Sequence, residues 1–164
     1  SGIWLYTSFL RKSLKNIFQK KIEISNPVFK PYSNWFVEIE KNLSSINFNE
    51  LTLIDKPLLQ LNKFALENNK KLIVIFHDYK GITYYERATG KKLPNYVFDE
   101  FNYLKKFLKK NKITLVNFSK IARDYVNKLE EDQIEKKLPY LEMDGHFNEI
   151  GYDLLAQKLK KIIN

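Results

Sequence analysis

The sequence contains no cysteine. That excludes disulfides, thiolate metal sites and a cysteine nucleophile. Histidine occurs only as His77 and His146, so a histidine-rich metal centre is excluded too. Glycine and proline number five each among 164 residues, and there is no low-complexity linker or internal repeat. No apolar run approaches the roughly 18 residues that a membrane-crossing helix needs. The opening residues Ser1 to Leu5 show neither the basic n-region nor the long apolar h-region of a signal peptide. What the chain does have is 44% hydrophobic residues and 15% aromatic ones. That is enough apolar surface for a packed core, and the length suits one domain.

Acidic residues are outnumbered 28 to 19 by Lys and Arg, giving a net charge of +9. An excess of this size raises a nucleic-acid or anionic-membrane partner. The lysines, however, are spread along the whole chain and travel with Asn, Ile and Phe, as in products of A/T-rich genomes. The densest cluster is Lys105, Lys106, Lys109, Lys110 and Lys112. On a helix these lie opposite Tyr103, Leu104, Phe107 and Leu108, which describes the solvated face of an amphipathic helix. Nucleic-acid binding is therefore disfavoured.

Hydrophobic periodicity predicts a helix over 4–18, a loop over 22–32 around Pro27 and Pro31, and a helix carrying Trp35, Phe36, Ile39 and Leu43 with Ser33 as N-cap. From about residue 48 the pattern becomes regular. A helix is expected over 49–68, with Pro57 as a kink or restart, and Leu72–Phe76 reads as a strand buried on both faces. A loop should follow from His77 to Pro94, then a helix over 96–111 and a second buried strand, Ile113–Phe118. A helix capped by Ser119 runs to about Leu129, followed by a charged stretch, a loop over 140–147 and a last helix over 148–163. Alternating helix and strand is the grammar of a parallel α/β sheet. Sites in such sheets lie beyond the carboxyl ends of the strands. His77 and Asp78 would stand there, and the loop before the last helix can reach the same edge.

That loop carries the most chemical information. Asp144 and His146 flank Gly145 just ahead of a helix. A carboxylate so placed can accept from the imidazole and fix its tautomer, leaving the other ring nitrogen to take a proton from a hydroxyl nucleophile. Glycine would permit the tight backbone. Asn148 can cap the helix, and Gly151 on its first turn would let it lie close to neighbouring backbone. The plainer alternative is a turn at Asp-Gly followed by an ordinary Asn cap. His77 reads either as a pocket residue or as a polar strand terminus bonded to backbone, and Asp78 and Lys80 carry the same ambiguity. Tyr84, Tyr85 and Arg87 either line an acyl or sugar cleft or pack against the sheet. Trp4 and Trp35 read as core or interface residues.

The block Asp144-Gly-His-Phe-Asn-Glu-Ile-Gly-Tyr-Asp-Leu-Leu-Ala156 resembles the C-terminal catalytic block of SGNH/GDSL hydrolases. The resemblance covers about residues 48–164. It implies a three-layer α/β/α, flavodoxin-like fold with a parallel sheet, and a serine esterase or O-acyltransferase acting on an acyl ester of a carbohydrate or lipid. His146 would be the base and Asp144 the acid, with His77, Asp78 and Asn148 as candidate pocket residues. Many members place the acid three positions before the histidine. Here the spacing is two, and Glu142 is the nearest alternative acid. No cofactor or metal is implied, and the family is compatible with a periplasmic or cell-envelope location.

The sequence departs from that family at its other end. It has no Gly-Asp-Ser nucleophile block, no glycine block for the oxyanion hole and no Gly-x-Asn-Asp block. The early serines, Ser1, Ser8, Ser13, Ser25 and Ser33, do not follow an apolar strand. The chain is therefore expected to be the C-terminal portion of such a domain, incomplete as a sheet, with residues 1–47 as a helical segment or insertion and the missing N-terminal part as its partner. A degenerate, non-catalytic binding or interaction domain of the same fold is the alternative.

Overall fold

The computed structural model describes residues 22–41, 51–142 and 144–163. The expected helix over 4–18, Trp4 and Leu43 lie outside them. The described helices are α1 (Ser33–Glu40), α2 (Asp55–Glu67), α3 (Lys80–Thr89), α4 (Asp99–Lys110), α5 (Phe118–Val126), α6 (Ile134–Lys137) and α7 (Glu149–Ile163). Among the described residues two strands, β1 (Ile73–Phe76) and β2 (Thr114–Asn117), form a parallel sheet. Their register runs from Ile73 opposite Thr114 to Phe76 opposite Asn117. The class is α/β, and both strands fall within the apolar runs that predicted them.

Side chains alternate between the faces of a strand, so Val74, Phe76 and Leu115 share one face. There they pack with Ile54 and Leu58 near α2 and with Phe101, Leu104 and Leu108 of α4. The Phe76 and Phe101 rings are 5.3 Å apart. On the opposite face Val116 is buried, but its neighbour in register, Ile75, is 38% exposed. The expectation that both strands are buried on both faces therefore fails for β1. The apolar run fits a two-sided interior that the described residues do not supply.

The larger core lies among α1, α3 and α5. Residues 22–41 belong to it: the Phe29 ring lies 5.6 Å from Tyr84, and Phe36 lies 6.0 Å from Tyr85. Both the backbone N–H and the hydroxyl of Ser25 donate to the Ala88 carbonyl, each at 3.1 Å.

Several local expectations are corrected. The segment expected as a loop, 77–94, contains α3. Residues 80–85 and Ala88 are buried, and the loop reading rested on Gly81 and Gly90, which here lie inside and at the end of the helix. Gly90, at φ +67°, ends it with its N–H on the Glu86 carbonyl. Residues 27–32 form a 3-10 turn, capped by Asn26 accepting from the Val28 N–H, that runs straight into α1, so Ser33 is not an N-cap. Asn117 rather than Ser119 caps α5, accepting from the Lys120 N–H at 2.9 Å. Pro57 sits in the first turn of α2, where a missing N–H is tolerated, so it marks the restart. The apolar side chains of that region are largely uncovered: Leu53 is 72% exposed, Phe64 66% and Leu66 64%.

Candidate functional site

Because β1 and β2 run parallel and end in register, the residues that follow them emerge side by side. The Asp78 N–H donates to the Ser119 hydroxyl oxygen at 2.5 Å, tying the two strand ends together. Ser119 is buried, and it lies inside α5, which starts at Phe118. The segment before α7 reaches the same edge through Phe147, as the topology predicted. Its ring lies 4.3 Å from Phe118, and 5.4 Å from both His77 and Tyr140.

The 140–147 loop is closed at its base and fixed from below. Tyr140 and Phe147 form an antiparallel bridge, and the Leu141 N–H donates to the His146 carbonyl at 2.9 Å. The Asn148 amide nitrogen donates to the Leu138 carbonyl at 2.6 Å, and its oxygen accepts from the Gly151 N–H at 3.1 Å. Asn148 is thus a helix cap and loop clamp. A Cβ added at Gly151 would lie 2.3 Å from the Pro139 carbonyl oxygen, so the close approach expected of this glycine is present. Gly145, in contrast, has open space around it and no positive φ, so the backbone does not require glycine there.

At the tip of the loop the Asp144 carboxylate turns toward His146. One oxygen accepts from the His146 backbone N–H at 2.8 Å, and the other lies 3.1 Å from Nδ1 of the ring. These donors hold the Asp144 carboxyl below its ordinary range, the backbone N–H contributing most. An Nδ1–H held on a carboxylate makes Nε2 the basic nitrogen, the arrangement a general base needs. The side chains are 54% (His146) and 46% (Asp144) exposed, so the pair sits at the surface. Glu142 contributes its carbonyl to the loop, accepting from Lys80.

Of the other anticipated residues, His77 is exposed, with Nδ1 3.4 Å from the Asp78 carbonyl oxygen and its ring edge-on to Phe147. Burial pushes the Asp78 carboxyl up to about 7; the Ser119 hydroxyl and Arg123 pull it down, and Glu100 adds to the rise. Tyr84 and Tyr85 are core residues, 0% and 2% exposed, and so do not line a cleft. Arg87 donates to the Leu129 carbonyl and pairs with Glu131 at 2.6 Å. Trp35 is half-buried and stacks on Tyr32 at 5.6 Å. Two residues were not given these roles from the sequence. Phe147 is the hub joining both strand ends to the loop, and the buried Lys80 reaches the loop backbone. The one available signal was their position, Phe147 beside His146 and Lys80 just after a strand.

Among the described residues no group of three or more His, Asp or Glu side chains is arranged to hold a metal ion, and no helix is long and apolar enough to cross a membrane. No protein-family model, curated protein or solved structure matches the chain.

Proposed function

We propose that this chain carries the acid–base half of an acyl-transfer site of the SGNH/GDSL type, in a three-layer α/β/α domain whose serine nucleophile lies outside these 164 residues. The observation that supports it is the Asp144 carboxylate bonded to both the backbone N–H and the Nδ1 of His146, on a loop packed against the carboxyl ends of parallel strands. In this reading Nε2 of His146 removes the proton from a serine hydroxyl as its oxygen bonds to the acyl carbon of a carbohydrate or lipid ester. The imidazolium, steadied by Asp144, returns that proton to the departing alcohol as the ester C–O bond breaks. Water or an acceptor hydroxyl then releases the acyl group through the same base. The donors for the developing oxyanion come with the nucleophile.

The test is fluorophosphonate labelling and p-nitrophenyl acetate hydrolysis by the product of the complete reading frame. A serine should be labelled, and His146→Ala should slow labelling by roughly 100-fold or more. Residues 1–164 alone should remain unlabelled. Labelling of a serine within them, or equal labelling with and without His146, overturns the reading. A complete product that takes no label overturns it in favour of a non-catalytic binding domain, a second reading favoured by the water exposure of both side chains.

A further inference from the structure

We infer that Lys80 is the positioning residue of the Asp144–His146 pair, acting through the backbone of the loop that carries both. Lysine is among the residues least often buried, yet Lys80 is only 2% exposed. A buried ammonium is tolerated where it is fully engaged. This one donates to the carbonyls of Leu141 at 2.9 Å and Glu142 at 2.6 Å. It also lies 5.0 Å from the ring centroid of Tyr32 and 5.6 Å from that of Trp35. The ammonium therefore joins the start of α3, the 22–41 segment and the loop at a single atom.

The contacts run in sequence to the ring. Lys80 holds the Leu141 carbonyl; the N–H of Leu141 holds the His146 carbonyl; the N–H of His146 holds one Asp144 oxygen; the second Asp144 oxygen meets Nδ1. Leu141 is thus fixed on both sides of its residue. Without the ammonium the Leu141 and Glu142 carbonyls lose this donor. The two rings fix Lys80 in turn, so Trp35 and Tyr32 influence the site without touching His146. The positive charge also lies close enough to Asp144 to favour its ionised form.

The test reads the ring itself, by long-range 15N spectra of His146 at pH 8 and by amide exchange along the loop. Wild type should show the Nδ1–H tautomer. Lys80→Met should average the tautomers and speed exchange of the Leu141–His146 segment by about tenfold or more, while β1 and β2 keep their protection. Lys80→Arg, which preserves the charge and its donors, should retain most of the wild-type signature. A folded Lys80→Met with the wild-type ring spectrum and exchange overturns the inference, as does an Arg variant as disturbed as the Met one. Should Lys80→Met not fold, Trp35→Leu takes its place; it must shift the His146 ring spectrum, and an unshifted ring overturns the inference equally. The inference rests on the acyl-transfer reading only for what the ring is held to do. An unaltered ring sinks the role of Lys80, whereas an unlabelled complete product sinks the reaction.

Discussion

Gly151→Ala tests the fit beneath the site. The added methyl would stand 2.3 Å from the Pro139 carbonyl oxygen and 2.9 Å from Cβ of Phe147. Carbon–oxygen contacts settle near 3.3 Å, so α7 and the 138–148 segment must part by about 1 Å. That displacement strains the Asn148 clamp, whose bonds to the Leu138 carbonyl and the Gly151 N–H span the same gap. Overpacking costs about 1–3 kcal/mol, and a weakened cap adds about 1 kcal/mol. Alanine returns about 1 kcal/mol as the better helix former. The net loss is about 1–3 kcal/mol. Urea unfolding should show a lower midpoint at unchanged slope, with faster amide exchange at Leu141 and His146. Gly145→Ala, in open space, is the control and should be neutral. A Gly151→Ala protein as stable as wild type, with an undisturbed loop, refutes the packing argument.

Asp78 makes stability depend on pH in a defined sense. Its carboxyl rises from 3.8 to about 7 on folding, so the folded state holds that proton more tightly than the unfolded chain. Its contribution is therefore complete below about pH 4 and is lost as pH climbs through 7, with roughly 4 kcal/mol as the upper bound. Asp78→Asn should flatten that dependence, read as the difference in urea midpoint between pH 5 and pH 8; an equal slope in both proteins counts against it. Phe147→Ala removes the ring shared by Phe118, His77, Tyr140 and Tyr152, and should lower stability by about 2–4 kcal/mol in the same assay. A loss below about 0.5 kcal/mol would show that this ring is not the hub.

The two strands, α4 and α7 were legible because each carries its own local signal: an unbroken apolar run, a one-sided stripe, or an Asn cap. The proximity of Asp144 and His146 was legible for the same reason, since two positions separate them. The helix α3 was not, because Gly81 and Gly90 resemble loop punctuation. Ser119 suits a cap by residue type, yet its hydroxyl is taken by Asp78, 41 positions away. Lys80 was noted beside Asp78, but its burial was not legible. Its partners come from residues 32, 35, 141 and 142, and no local pattern announces a cation buried by contacts so distant in the chain.

The uncovered leucines and phenylalanine around α2 bear on how copies of this chain behave together in solution. With nine surplus positive charges, molecules at low ionic strength repel one another before those greasy side chains can touch. Physiological salt shortens the reach of that repulsion to about 8 Å, while apolar attraction is left intact. Added electrolyte therefore weakens the charge repulsion that holds such side chains apart, and dilute buffer preserves it.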